Sequence, residues 1–146
     1  MTERAPHLQQ DIAAVEAVNE DFYAAFEHGD IDAMGRVWLD APHTLCVHPG
    51  TTPLRGSAAI LRSWSLLMAN ATYIQFFLTD VEITVHGDVA SVSCTENVLT
   101  ADENTADTSF IGARAVATNV FVRTEGAWRL WVHHASPVLS AEDHED

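Results

Sequence analysis

Apolar side chains recur at helical spacing in the first part of the chain and at strand spacing in the rest. From about Gln10, Ile12, Val15, Val18, Phe22 and Phe26 repeat every three or four residues, with Ala14 and Ala25 beside them, which predicts an amphipathic helix. Acids (Asp11, Glu16, Glu20, Asp21) decorate the other face. The preceding residues 1–9 are polar, contain Pro6 and read as a frayed lead-in. Gly29 is placed to end the helix, and Asp30 to cap a short second one carrying Ile31, Met34, Val37 and Trp38, which Pro42 terminates. Residues 44–48 read as a short strand and 49–53 as a Pro/Gly loop. Ser57 is the expected N-cap of a third helix, with Ile60, Leu61, Trp64, Leu67 and Met68 on one side, ending around Asn70.

The rest alternates. Residues 73–86 are apolar at even positions (Ile74, Phe76, Leu78) and then at odd ones (Val81, Ile83, Val85). Such a slip of phase predicts a bulge or sharp bend, with Asp80 and Glu82 facing solvent. His86-Gly87-Asp88 turns into a strand over Val89–Ala101, and a polar loop covers 102–109. Phe110–Thr124 is a long strand rich in small residues, and Thr124-Glu125-Gly126 turns into a final aromatic strand that Pro137 ends. Two helices, a strand, a helix and a four-strand meander argue an α+β fold. A long bent sheet with helices on one face leaves a concavity. The expectation is a single domain over 1–146, with its core at about 10–138 and a solvated acidic tail at 139–146.

Composition narrows the functions open to such a fold. A chain of 146 residues is long enough to bury a core without disulfides. Its net charge of −14 makes nucleic acid and anionic membranes poor partners, because phosphate binding needs clustered Lys and Arg. Cys46 and Cys94 sit in apolar runs, read as buried free thiols, and suit a reducing cytoplasm. The first residues carry no apolar signal segment, and no apolar run approaches the length of a membrane span.

Candidate chemistry lies where polar groups interrupt apolar faces. In a regular final strand, Trp128, Leu130, Val132, His134 and Ser136 share one face, and Arg129, Trp131, His133 and Ala135 the other. The first face is apolar until it reaches His134, which suggests an apolar pocket floor with a polar wall. His134 is then a candidate general base, set against a core histidine satisfied by a neighbour. His133 is expected on the outer face or at a dimer interface with Trp131; a bulge would exchange the two histidines. His48, before Pro49-Gly50, is expected at the pocket mouth as a ligand contact or a loop anchor. Glu96 shares a face with Val92, Cys94 and Val98; there it must be paired or raised in pKa, unless that face is the outer one and it meets solvent or Arg114. Asn119 could hydrogen-bond a ligand carbonyl, orient a histidine or bridge strands. Trp38, Trp64, Tyr73, Phe22 and Phe26 are core or pocket lining, favouring an apolar or aromatic ligand. His48, Glu96 and His134 are residue types that bind metals, but no pair has local ligand spacing, and no metal is expected. No glycine-rich phosphate loop or nucleophile elbow is present, and no cofactor is expected.

Several stretches resemble the SnoaL-like branch of the nuclear transport factor 2-like superfamily. They are Phe26-Glu27-His28-Gly29-Asp30, Val47-His48-Pro49-Gly50, Leu54-Arg55-Gly56 with Ile60, Leu61 and Trp64 as a helix entry, and Ala117-Thr118-Asn119-Val120-Phe121 followed by Gly126-Ala127-Trp128-Arg129-Leu130 and His134-Ala135-Ser136-Pro137. The likeness runs over residues 10–138. It implies a cone-shaped, cystatin-like fold, a curved antiparallel sheet wrapped around the N-terminal helix, with an internal pocket. It also implies a homodimer through the outer face of the sheet. Members of this superfamily include cyclases, isomerases, dehydratases and non-enzymatic association domains, so the fold leaves the function open. The expectation is a small, mostly apolar ligand in the pocket and cofactor-free acid–base chemistry, with Glu96 or His134 as base, Asn119 and His48 as positioners, and Trp64 and Trp38 as wall. The alternative is a non-catalytic ligand-sensing or protein-association module, with the acidic tail as a partner contact.

Overall fold

The computed structural model describes residues 4–101 and 110–139. The expected polar loop at 102–109 and most of the expected acidic tail, residues 140–146, lie outside the described residues. The elements run α1 (Arg4–Glu27), α2 (Ile31–Val37), β1 (Leu45–Val47), β2 (Leu54–Arg55), α3 (Ser57–Asn70), β3 (Ile74–His86), β4 (Val89–Ala101), β5 (Phe110–Thr124) and β6 (Ala127–Pro137). The strands form one six-stranded sheet in the order β2-β1-β6-β5-β4-β3. The meander from β3 to β6 is antiparallel, as the alternation predicts. β1 runs parallel to β6, so the sheet is mixed rather than wholly antiparallel, and it curves without closing into a barrel. Leu54 and Arg55, expected at a helix entry, instead pair with Cys46 and Leu45 as β2.

Helix α1 begins at Arg4, six residues before the apolar period starts. Pro6 does not prevent this, because first-turn N–H groups have no helical acceptor to lose. Its end follows the expected chemistry. Gly29 takes φ +63°, its N–H bonds the Phe26 carbonyl at 3.1 Å, and the Asp30 N–H bonds the Ala25 carbonyl at 2.9 Å. This pair of bonds satisfies carbonyls that the helix leaves open. Asp30 then caps α2, its Oδ1 accepting from the Ala33 N–H at 3.0 Å. Ser57 is not the N-cap of α3; Gly56 precedes that helix, with no side-chain cap. The Ser57 hydroxyl donates to Asp40 at 2.9 Å and accepts from the Ala41 N–H at 3.1 Å, pinning α3 to the segment after α2.

The helices cover one face of the sheet. Val15, Phe22, Tyr23, Met34, Trp38, Ile60 and Trp64 meet Ala90, Val92, Cys94, Ala115, Ala117, Phe121, Trp128 and Leu130 in a single buried cluster. Glu27 at the end of α1 accepts the Phe76 N–H at 2.7 Å, tying the helix to the edge strand β3. Arg123 reaches from β5 to Asp11 near the other end of α1, at 2.6 Å.

Two bulges set which residues point inward. The one expected in β3 is present: pairing with β4 shifts between Thr79 and Glu82, and Asp80 takes φ +52°. The second lies in β6. Val120 pairs with Val132 and Phe121 with Leu130, so Trp131 is the extra residue. Inward positions therefore run Trp128, Leu130 and then His133, Ala135.

Candidate functional site

The bulge at Trp131 reverses the expected roles of the paired histidines. His133 is 3% exposed and points inward, whereas His134 is exposed on the outer face. His134 is therefore not the residue at the pocket, and His133 is not at the outer face. Trp131 itself is half-buried, its indole N–H donating to the His43 carbonyl at 3.3 Å.

A cavity of about 420 Å³ opens between α1, α3 and the inner face of the sheet. That is within the usual range for small-molecule pockets, about 300–1,000 Å³. Phe22, Phe26, Trp64 and Phe76 give it aromatic walls, and Tyr23, His48, Thr51, Glu96, Arg114 and His133 its polar groups. The aromatic rings interlock edge to face: Trp64 packs on Phe22 at 5.3 Å, on Phe26 at 5.1 Å and on His48 at 4.7 Å between centroids. Such contacts fix the wall's shape more than area burial alone would.

Behind the polar wall runs a buried chain of hydrogen bonds. The Tyr23 hydroxyl donates to Glu96 Oε2 at 2.6 Å. Asn119 Nδ2 donates to the Tyr23 oxygen at 3.2 Å and to Asn19 Oδ1 at 2.8 Å. Asn119 Oδ1 lies 2.6 Å from His133 Nδ1. An amide with both N–H groups committed can only accept at its oxygen, so Nδ1 of His133 is the donor. Nε2 is left as the lone-pair nitrogen.

Burial drives the electrostatics. It raises the Glu96 carboxyl above the ordinary glutamate range, and the Tyr23 hydrogen bond opposes that rise. It also raises Tyr23, as does the charge of Glu96, so the phenol stays protonated. His133 is pushed down to about 3, first by burial and then by the neighbouring imidazoles of His48 and His134. His48 is lowered by burial and shares a 2.7 Å hydrogen bond between its Nε2 and Ser63 Oγ. Cys46 and Cys94 are both free and buried; burial pushes the Cys46 thiol up to about 12 and raises Cys94. Neither thiol offers a thiolate at neutral pH.

Of the residues singled out from the sequence, Glu96, His48, Trp64, Phe22 and Phe26 line the cavity. Glu96 is on the inner face with Tyr23 as its hydrogen-bond partner; Arg114 is exposed and borders the cavity, but the hydrogen bond to Glu96 comes from Tyr23. Asn119 is fully buried behind the cavity, where it orients His133 rather than facing a ligand. Trp38 is not cavity wall; it lies in the core, edge-on to Phe22 at 6.2 Å. His134 faces away, so it cannot join His48 and Glu96 in a metal site, and among the described residues no three His, Cys, Asp or Glu side chains gather as one. No helix among the described residues is long and apolar enough to cross a membrane.

Tyr23 and Asn19 escaped the sequence reading, and His133 entered it as a pocket residue only through the alternative of a bulge. A signal for the first two was present: Val15, Asn19, Phe22, Tyr23 and Phe26 fall on one face of α1 at spacings of three, four and seven. Two polar groups on that stripe require buried partners.

A SnoaL-like domain matches residues 15–140 of the chain. A solved Streptomyces avermitilis protein of the NTF2-like family, described as a candidate dehydratase, is 46% identical, with a TM-score of 0.83 over 90% of this chain and 99% of that one. A Thiobacillus denitrificans protein described as a candidate calcium/calmodulin-dependent protein kinase type II association domain is 32% identical, with a TM-score of 0.73 over 85% and 94%. The F-box protein SKIP8 of Arabidopsis thaliana is 26% identical over 132 residues, which are 90% of this chain. This chain spans about half of that curated relative, 52% of its length.

The buried histidine has a consequence for stability. His133 stays neutral in the fold down to about pH 3 but titrates near 6.5 when unfolded. The unfolded chain takes up the proton first, so stability is lost as pH falls from 6.5 toward 3, by at most about 1.4 kcal/mol per pH unit. Urea unfolding between pH 7 and 4 is expected to show a shallower acid loss in His133→Gln than in the unaltered protein. Equal slopes would contradict the buried neutral assignment.

Proposed function

The chain belongs to the SnoaL-like family of the nuclear transport factor 2-like superfamily, and we propose that it binds a small, mostly apolar molecule in the cavity and acts on it by cofactor-free acid–base chemistry. The observation that carries this reading is Glu96: a carboxyl group, 4% exposed, lining an aromatic-walled cavity with the Tyr23 hydroxyl donating to it. A carboxylate withheld from water is a stronger base, and it can approach a C–H bond without first shedding hydration. Isomerisation, cyclisation and dehydration of a carbonyl compound share one early step, removal of a proton from carbon. In this reading Glu96 takes that proton, Tyr23 aims the carboxylate, His48, held by Ser63, positions polar substituents, and Phe22, Phe26 and Trp64 hold the apolar body. The 46%-identical relative described as a candidate dehydratase agrees with that reaction class. Two free thiols suit a reducing compartment, the cytoplasm.

A second, compatible reading concerns assembly. Phe77 and Val116 lie on the outer face of the sheet at 49% and 48% exposure, on the side away from the cavity. An apolar outer face fits a second copy of the chain, giving a homodimer with its two cavities turned outward. Resemblance to a protein described as an association domain supports assembly.

A substrate-independent probe tests the base. In 5-nitrobenzisoxazole a base removes the C3 proton, the C–H pair completes a nitrile, and the N–O pair departs as a coloured nitrophenolate. The protein is expected to accelerate this ring opening over buffer, and Glu96→Gln to lower the rate by about 100-fold, the usual size of a general-base contribution. No acceleration, or an equally active Gln variant, would remove Glu96 from the role. For assembly, native mass spectrometry is expected to report a dimer that Phe77→Lys combined with Val116→Lys converts to monomer; a monomeric unaltered protein, or a dimer that survives both changes, would rule out this interface.

A further inference from the structure

The direction of the buried hydrogen bonds restricts what can lie against His133. The Tyr23 hydroxyl donates to Glu96, and its oxygen accepts from Asn119. Asn19 takes the second Asn119 N–H. The carbonyl end of Asn119 is thereby turned to His133, whose Nδ1 must carry the proton. With Nδ1 turned back to Asn119, the ring edge bearing Nε2 is the one left for the cavity that His133 lines. Nε2 then meets the ligand as an acceptor.

Resting on the reading of this cavity as the ligand site, we infer that the ligand carries a hydroxyl group at its His133 end, and so is a hydroxylated aromatic or alicyclic compound. A ligand with only a carbonyl or ether oxygen there would set lone pair against lone pair. A bare hydrocarbon edge would bury Nε2 without a partner, which costs more than a made hydrogen bond returns. The aromatic rings of Phe22 and Trp64 flank the His133 ring at 4.8 and 6.0 Å, so the hydroxyl arrives on an apolar body. His48, the other imidazole on the wall, is already bonded to Ser63. The other strong acceptor, Glu96, is the base of the proposed reaction. Two acceptors on one wall suit a substrate whose hydroxyl is held at one while a C–H is presented to the other, the arrangement a hydroxy-ketone offers.

The test uses 2-naphthol and 2-methoxynaphthalene, which share a ring system and differ in the donor. By calorimetry on the full chain, 2-naphthol is expected to bind about tenfold more tightly, the worth of one hydrogen bond against one buried unpaired acceptor. His133→Phe is expected to erase that preference and Glu96→Gln to leave it, since Gln still accepts from Tyr23. Equal binding of the two compounds would overturn the donor inference while leaving the cavity reading intact. Binding of neither would overturn both. A preference lost in Glu96→Gln and kept in His133→Phe would assign the hydroxyl to Glu96 and overturn the inference. A measurement on the unaltered protein stands independently of whether His133→Phe folds. In long-range proton–nitrogen spectra of histidine-labelled protein, His133 is expected to show a protonated Nδ1 and a bare Nε2 whose resonance moves with 2-naphthol. A protonated Nε2 would overturn the inference outright.

Discussion

A carboxyl group that has left water must be given a donor, and the buried network of Asn19, Tyr23, Asn119 and His133 follows from how Glu96 obtains one. Tyr23 supplies it from α1. Once the phenol points at Glu96, its oxygen can only accept, so Asn119 must present its N–H groups there and its carbonyl to His133. A choice made at one carboxylate thus sets the tautomer of an imidazole in another strand. Such chains strengthen when complete and penalise any missing member, because the surrounding medium screens little. The chain also joins α1, β4, β5 and β6, so the polar network that prepares the cavity helps hold the helix in the concavity of the sheet.

Backbone geometry decides which groups enter that network. Strand side chains alternate with a period of two, and one inserted residue sends the rest of the strand to the opposite face. In β6 the insertion is Trp131, and it exchanges His133 for His134. In β3 it is marked by Asp80 in left-handed backbone, and it returns Ile83 and Val85 to the core after Leu78. Both bulges bend the sheet around α1, and both lie in strands that contribute to the interior. Curvature and chemistry therefore share a cause.

Much of this was legible in the sequence because local rules carried it. The helix end at Gly29 and the cap at Asp30 rest on backbone and side-chain chemistry confined to a few residues. The slip in β3 showed as a change of parity between Leu78 and Val81. The slip in β6 did not, because Val132 continues the even-numbered apolar series past Trp131 and hides the insertion. Glu96 stood out as a charge on an apolar face; its partner did not, since Tyr23 reads as one more aromatic beside Phe22. The parallel pairing of β1 with β6 and the reassignment of Ser57 depend on contacts between distant segments, which periodicity does not encode. Trp38 was indistinguishable from Trp64 by sequence, and only the position of α2 sends one to the core and the other to the cavity.

The claim on which the rest depends is that Glu96 is a buried carboxylate held by Tyr23, and it can be read directly by following the glutamate side-chain carboxyl carbons through a pH titration by NMR. The Glu96 resonance is predicted to titrate above the solvent-exposed glutamates in the same spectrum, and to move higher still in Tyr23→Phe, where the hydrogen bond that favours the ionised form is gone. A Glu96 that titrates with the exposed glutamates, or whose midpoint stays put or falls when the phenol is removed, would contradict the account.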